Sequence, residues 1–596
     1  MQFRLFKLRF RRQLRQGQKQ VEDLSVQAEA GLEQHLFKRL GKLGQVWRFI
    51  TAWLLLVVIL AGSVVIQIEH LSNYYQTTQP VPGGTYTEGI LGTFTNANPL
   101  YATSAVDSTV SHLIFAGLFK YNDHNQLVGD LATTWTVDSK GTTYTVHLRP
   151  NLTWQDGQAL TADDVVFTYQ AIQNPDAQSP FNSSWAGITV SKVDATTINF
   201  TLPNPLSSFP YSLTNGIVPE HLLGNLPVTD LRSADFNTVD PVGAGPFAWG
   251  LLQVGDSNPT TAQIQVALKP FSKYYGGKPK LDSFVVHAFA DQSQMLSAFR
   301  SQSLTAMEGL DSVPNDIAKD SNVQQYSLLR TAAEMVFFNT ASGVLADAQV
   351  RHALVEGASV PAILQQLVYT TKAVNEPLLT GQLGYDPAYA QSSYNPTQAM
   401  ATLQQDGWVR GAKGILTKAG QPLTFTLSAP NTAEATTVTR LLQAQWRSLG
   451  IDVKVSLQDA QDFQGTLSSA GPSPQYDALL YGISIGVDPD VFVYWDSSQT
   501  DPRSDRLNFS SYKDTTADSA LEAGRTRLDP ALRAIKYKPF LQAWQQDAPA
   551  LGLYQPRLLY VTHEPVYGLN SHFINADTDR FDNVQNWMIR TTKVTD

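Results

Sequence analysis

Residues Phe49–Ile68, FITAWLLLVVILAGSVVIQI, carry no formal charge. As a helix rising ~1.5 Å per residue, this stretch reaches roughly 30 Å, the thickness of a bilayer's hydrocarbon core. Nothing else in the chain constrains the fold as strongly, because it separates what lies before it from what lies after. Trp47 and Trp53 sit where an interfacial aromatic belt places them. Residues 1–48 hold eleven Lys/Arg and four acids, a formal +7 against −9 for the whole chain, so the remainder carries −16. A basic head stays cytoplasmic and an acidic body is exported. A buried core helix rarely begins after so basic an arm. A cleaved signal peptide is the other rival, but its basic region is short, and 48 residues is long for one. The segment 49–68 is therefore read as an uncleaved signal anchor, with 1–48 as a basic cytoplasmic segment.

Within that head, Phe3, Leu5, Phe6, Leu8, Phe10 and Leu14 alternate with basic residues. Two readings stand: a strip lying on anionic lipid, or an ordinary positive-inside flank. Beside a membrane span the arm is not read as a nucleic-acid binder. Residues 69–82 are polar and run into Pro80-Val81-Pro82-Gly83-Gly84, which reads as a short stalk.

The body that follows is too long for one ordinary domain. With 43% hydrophobic and 16% charged residues the chain as a whole is globular rather than disordered. No cysteine is present, which excludes disulfides, thiolate metal sites, a Cys nucleophile and a lipid-modified cysteine anchor.

Strand signals dominate first. Thr143, Thr145 and His147 alternate with Tyr144, Val146 and Leu148. A turn at Asp156-Gly157 leads into Leu160-Thr161-Ala162-Asp163-Asp164-Val165, where Thr161 and Asp164 have capping-box form and a helix runs to about Gln173. Asp163 and Asp164 resemble an acid/base pair, yet acids favour the positive end of a helix, and that accounts for both. A second helix is expected near Gln292–Arg300. At 423–457, Leu423, Phe425 and Leu427 alternate, Val438, Leu441, Leu442, Trp446 and Leu449 mark one helical face, Gly450 stops it, and Ile451, Val453, Val455 and Leu457 alternate again. Strand, helix, strand at this length predicts a parallel crossover in a mixed α/β lobe.

The chain has no G-x-x-x-x-G-K-[ST] loop, no H-E-x-x-H and no dinucleotide G-x-G-x-x-G after a strand, and its histidines lack ligand spacing. No cofactor and no metal are called for. One catalytic signature remains. Gly482-Ile483-Ser484-Ile485-Gly486 fits G-x-S-x-G, the nucleophile elbow of serine hydrolases. An elbow needs a helix directly after the turn, and Val487-Asp488-Pro489-Asp490 follows instead; His563 and His572 are the histidines placed for triad order.

The body also resembles, over about residues 83–590, the family 5 extracellular solute-binding proteins of ABC importers, the group with oligopeptide-, dipeptide- and nickel-binding members. The resemblance is carried by LIFAGLFKYN (113–122), LVGDLATTWTVDSKGTTYTVHLRPNLTWQDGQALTADDVVFTYQAI (127–172), VGAGPF (242–247), ALKPFSKYYGGKPKLDSFVV (267–286), FFNTASGVLADAQVRHALVEGASVPAIL (337–364), RLLQAQWRSLGIDVKV (440–455), the stretch 476–498 and DAPALGLYQP (547–556). W-x-D-G-x-x-L-T-A-D-D-V is the most specific run. The resemblance implies an α/β, two-lobed periplasmic-binding-protein-like fold of type II behind the one transmembrane helix. Lobe I would comprise 83–120, 240–335 and 555–596, an inserted subdomain 121–239, and lobe II 336–554. Ligand enclosed between the lobes would favour the closed form, which docks on permease subunits.

Family contacts map onto Asn98, Tyr101 and Asp107 in the first lobe I loop, Trp185 in the inserted subdomain, and Tyr481, Ser484, Ile485 and Trp495 in the stretch 476–498. Peptide-binding members often carry an Asp just before the Asp-Pro pair, to hold the ligand's α-amino group. That position is Ile485, which points the reading toward a neutral or apolar ligand. The expected function is capture of a peptide or similar small solute for an ABC permease, without catalysis. The alternatives are a serine hydrolase using Ser484 and a permease-independent sensor or chaperone.

Overall fold

The computed structural model describes residues 47–255, 263–367, 369–501, 503–504 and 506–595. It divides into two units, Met1–Gln79 with Thr591–Asp596, and Pro80–Arg590. The lipid-facing strip expected at the N-terminus lies outside the described residues.

Among its described residues the first unit is built on one helix, Trp47–Tyr75. Its part Trp47–Gln67 has a mean hydropathy of 2.7 and no buried residue, so it is long and apolar enough to cross a membrane. No Gly or Pro interrupts Ile68–Tyr75, and the helix continues past the apolar stretch. Gln76–Val81 then pairs with Arg590–Thr595 in a two-stranded ribbon. The segment expected to be a polar stalk is thus helix and strand. Thr-rich, polar edges become a strand only when the returning chain supplies ladder partners, and that partner is invisible to a local reading.

Two large sheets and a four-stranded one dominate the second unit, beside a three-stranded and a two-stranded sheet. Lobe I is an eight-stranded sheet in the order Phe573–Ile574, Gln324–Arg330, Arg557–Thr562, Ala306–Glu308, Thr85–Leu91, Ser283–Phe289, Ile264–Pro270, Phe247–Val254. Lobe II is a five-stranded sheet in the order Asp452–Gln458, Thr424–Pro430, Ala478–Ser484, Ala332–Phe338, Ala550–Tyr554. A four-stranded antiparallel sheet, Ala132–Val137, Thr143–Leu148, Thr197–Thr201 and Thr189–Asp194, carries the helix Ala162–Gln173.

Local patterns explain these elements. Thr143–Leu148 alternates as expected, with Tyr144, Val146 and Leu148 buried. The Ala162–Gln173 helix starts with the expected box: Asp164 Oδ2 accepts from Thr161 N at 2.8 Å, and Thr161 Oγ1 accepts from Asp163 N at 3.3 Å. Asp164 also accepts from Glu220 N, and Asp163 pairs with Lys192 at 2.7 Å, so both carboxylates serve structure. The helix Gln292–Arg300 forms as read. So does the crossover: Thr424–Pro430 and Asp452–Gln458 pair in parallel, joined by Ala433–Ser448, which buries Val438, Leu442 and Trp446 and ends before Gly450 at φ +88°.

In lobe II the central strand Ala332–Phe338 is buried on both faces. Val336 and Phe338 face the core that holds Trp446 and Leu427, while Met335 and Phe337 face the one that holds Trp495, Phe540 and Trp544. Each such side chain contributes about 1.5–3 kcal/mol by its burial. The chain passes from lobe I to lobe II at Thr331 and returns at Gln555-Pro556. The crossings lie side by side, since Arg330 N donates to Pro556 O at 3.0 Å and Gln555 Nε2 to Arg330 O at 3.2 Å. Few dihedrals therefore separate the lobes, as in a hinge.

Glu376 of lobe II is fully buried, with Oε1 accepting from Asp386 N at 3.2 Å and Oε2 without a partner. Burial pushes it up to about 8, against the Asp386 N–H and helped by the Asp386 charge. The folded form keeps a proton that the unfolded chain releases near its ordinary value of 4.5, so stability falls as pH rises from about 4.5 to about 8. A shift of this size is worth on the order of a few kcal/mol. Glu376→Gln is expected to raise the melting temperature at pH 8 and to leave it near the parent value at pH 4.5. Melting curves at the two pH values check this; an equal effect at both would contradict it.

Candidate functional site

Two cavities meet at the turn after the strand Ala478–Ser484. One, of about 390 Å³, has a lobe I wall from Pro99–Tyr121 and Asn575–Gln585, with Ser484 and Gly486 closing it from lobe II. The other, of about 480 Å³, shares Gly486 and extends over Gly381, Asp488, Arg533 and the crossing residues Thr331 and Gln555.

The turn is held from every side. Ile485 N and Gly486 N both donate to Thr331 O, at 3.0 and 2.9 Å. Gly486 adopts φ +78°, a left-handed conformation that suits glycine. Gln382 Nε2 donates to Gly486 O at 2.7 Å, and Tyr494 OH to Ser484 O at 2.8 Å. Asp488 accepts two 2.7 Å bonds from Arg533. Asp490 accepts from Ser208 Oγ at 2.8 Å and pairs with Arg525 at 3.2 Å. Ser207 in turn donates twice to Arg525 O, so the inserted subdomain touches lobe II here. The Asp-Pro-Asp run thus has its charges matched internally.

This geometry is not that of a nucleophile elbow. The two amides after Ser484 are spent on Thr331 O, and the next helix starts only at Phe492. His563 binds Phe299 O at 2.6 Å and His572 binds Asn570 O at 2.8 Å.

Among the residues expected at the site, Ser484 contributes to the cavity wall. Ile485 turns into the lobe II core at 7% exposure, because its N–H must reach Thr331 O. Tyr481 lies against Phe463 and Phe509. Trp495 is fully buried beside Phe337 and Trp544. Trp185 lies 4.1 Å from the Tyr169 ring inside the inserted subdomain. Asn98 and Asp107 shape the first lobe I loop: Asn98 Nδ2 donates to Asn237 Oδ1 at 2.9 Å, and Asp107 accepts from Thr95 N and Oγ1 at 2.7 and 2.6 Å. Tyr101 lies under the Arg232 guanidinium, with its hydroxyl pushed up to about 12 by burial. Their neighbours Pro99, Ala102, Ser108 and Ser111 line the cavity instead.

The wall also holds residues that the sequence reading missed: His112, Lys120, Asp130, Asp579 and Asp582. Lys120 Nζ donates to Asp582 O at 2.7 Å and lies 3.9 Å from Asp130. Asp130 accepts from Tyr275 OH, and burial raises its pKa. Asp579 accepts from Asn575 N and Ala576 N at 2.8 and 3.0 Å, yet burial still raises it; burial brings Asp582 to about 6. His112 is lowered to about 4 by burial, then by Lys120 and Arg580, and is neutral. Three carboxylates therefore face one ammonium, an excess of acceptors suited to a ligand that brings a cation or several N–H groups. The acid-rich run Asn575–Asp582 was the available signal.

Residues 126–504 match the family described as bacterial extracellular solute-binding proteins, family 5 Middle. The chain belongs to this family. Among its family 5 relatives, the oligopeptide-binding protein AppA of Bacillus subtilis (strain 168) is 24% identical over 83% of this chain and 90% of that protein. The dipeptide-binding protein of Escherichia coli (strain K12) is 23% identical over 72% of this chain and 80% of its own length. In three dimensions the chain is similar to NikZ from Campylobacter jejuni, solved in complex with Ni(L-His), at TM-score 0.71 and 25% identity, covering 85% of this chain and 99% of that one. AppA from Bacillus subtilis, solved with a nonapeptide, superposes at TM-score 0.68, with 24% identity, 86% of this chain and 100% of that one. The family 5 fold is two-lobed, and the two sheets joined at Thr331 and Gln555-Pro556 are its lobes here. The protein is accordingly a solute-binding protein of the ABC-importer class.

Proposed function

We propose that this protein captures a peptide or a similar small solute between its lobes and delivers it to ABC permease subunits, held at the outer face of the cell membrane by the helix Trp47–Tyr75. The carrying observation is the cavity of about 390 Å³ whose wall comes from both lobes. A solute there touches both lobes only when they are closed, so it binds that form better and shifts the population toward it. The lobes are assigned as 83–120, 240–330 and 557–590 for lobe I, 121–239 for the inserted subdomain and 332–554 for lobe II. The anchor keeps the body near its permease and raises its effective concentration there.

Peptide relatives support the ligand class, and the acid-rich wall supports recognition of its amino group. Asp579 and Asp582 of lobe I, with Asp130 of the inserted subdomain, take the part that an acid at Ile485 would have played. This replaces the expectation of a neutral or apolar ligand.

Mass spectrometry of what co-purifies with the full chain in detergent is expected to find peptides; one consistent non-peptide solute would overturn the ligand class. For a peptide so identified, N-acetylation is expected to weaken binding about tenfold or more, the ~1.4 kcal/mol or more of a lost charge-assisted contact. Unchanged affinity would remove the amino group as the determinant. Ser484→Ala is expected to leave binding in place with no turnover to lose. Permease subunits are expected in a membrane pull-down, and a protein retrieved without them would favour a sensor or chaperone.

A further inference from the structure

A third cavity, of about 540 Å³, shares no lining residue with the two at the turn. Its lobe I wall comes from the strands Gln324–Arg330 and Arg557–Thr562 and from Ser312 and Asn315; Tyr369 and Thr370 of lobe II complete it. We propose that this cavity is a second binding site, for a small oxyanion carrying carboxylate or phosphate oxygens, held by Arg557.

Arg557 is half-buried and, among the described residues, forms no ion pair. Its Nη1 donates to Ser327 O at 2.8 Å and Ser327 Oγ at 3.2 Å. Its Nε is shut off from solvent and has no acceptor. Other enclosed arginines of the body are treated differently. Arg533 has Asp488, Arg330 has Asp577, and Arg580 has Glu88 and Glu308. Arg351 lacks a carboxylate but has three carbonyls, of Leu345, Ala346 and Asp547, satisfying Nε, Nη1 and Nη2. Arg525 also has an unpaired Nε but pairs with Asp490; among these arginines Arg557 alone combines an unmatched charge with an unmade Nε bond, each costly in a partly desolvated place. Burial accordingly lowers its pKa.

A small oxyanion in the cavity supplies the missing counter-charge, and a guanidinium is suited to donating to its oxygens. The rest of the lining is suited to small polar ligands: Asn315, Gln325, Ser327 and Thr370 supply amide and hydroxyl groups. Glu434, the carboxylate bound by the lining residue Tyr369, accepts from Tyr369 OH at 2.7 Å and Tyr554 OH at 2.8 Å, which moderates its repulsion of an anion. Since Tyr369 and Thr370 belong to lobe II and Arg557, next to the crossing at Gln555-Pro556, to lobe I, an anion there bears on both lobes.

The test is a thermal-shift and calorimetric titration of the full chain in detergent, with inorganic phosphate, with acetate, and with KCl at matched ionic strength. Phosphate or acetate is expected to raise the melting temperature saturably beyond KCl, and Arg557→Met to abolish that rise. Phosphate acting alone would assign a phosphate ligand; acetate acting alone, a carboxylate. A response no larger than that to KCl, or one that survives Arg557→Met, overturns the proposal. Should Arg557→Met fail to fold, Arg557→Lys decides: a point charge without the fork is expected to bind at least about tenfold more weakly, and unchanged affinity overturns the site.

Discussion

Arg580→Met is expected to destabilise the body by about 3–5 kcal/mol, the cost of leaving buried charge without its partner. Arg580 is fully buried on the segment that forms the lobe I wall of the cavity. It reaches Glu88 Oε1 at 2.6 Å and Glu308 Oε2 at 2.9 Å, carboxylates from two adjacent strands of the eight-stranded sheet. Glu88 is held further by Tyr560 OH at 2.6 Å, which itself meets Tyr86 OH. Burial brings Glu308 to about 7, with Arg580 opposing that rise and Glu88 adding to it. Without Arg580 the two carboxylates would face each other unmatched, and one would take up a proton. The wall that carries Asp579 and Asp582 would lose its attachment to the sheet, so solute affinity falls along with stability. Urea unfolding measures the first and calorimetry the second. Replacing Arg580, Glu88 and Glu308 together with apolar residues is expected to recover most of the stability, because the desolvation cost goes with the charges. A single-variant loss under ~1 kcal/mol would show that the cluster is not a matched buried ion set.

The second large effect is expected at Arg533, in the other wall. Asp488 and Arg533 are each less than a tenth exposed and joined by two 2.7 Å bonds. Arg533→Met is expected to cost about 3–5 kcal/mol and to loosen the turn that presents Gly486. Arg533→Lys is expected to recover only part, since an ammonium cannot make the bidentate contact. Asp488→Asn combined with Arg533→Met removes both charges and is expected to be milder than Arg533→Met alone. A double-mutant cycle with urea unfolding measures this coupling, and additive losses would contradict it.

The legible parts of the fold were the local ones. The crossover at 423–457 was readable because Val438, Leu442 and Trp446 recur at helical spacing between two alternating runs, each set by its own side chains. The Thr161–Asp164 cap was readable because its donors and acceptors lie within one turn. The strand Gln76–Val81 was not readable, since its ladder partner is Arg590–Thr595. The candidate site divided along the same line. The first lobe I loop and the turn after Ser484 were located, but the loop's Asn98 and Asp107 fold inward while Pro99, Ser108 and Ser111 face the cavity. Residues 575–585 went unread because nothing in their spacing says that they return to the loop at 99–121.

The sequence by itself determined a membrane-length apolar helix behind a basic head, a mixed α/β body and the ordered segments of family 5. All of these rest on composition, periodicity and near-neighbour chemistry. Only the tertiary structure decided which groups face the cavities. Ile485 lies in the core and Gly486 at the cavity because one carbonyl, Thr331 O, binds both of their amides. The acids of the cavity wall come from lobe I and the inserted subdomain, and among the described residues Arg557 has no counter-ion. A cleft wall is assembled from segments far apart in the chain, and the direction of each side chain is set by bonds those distant segments make, which no local pattern records.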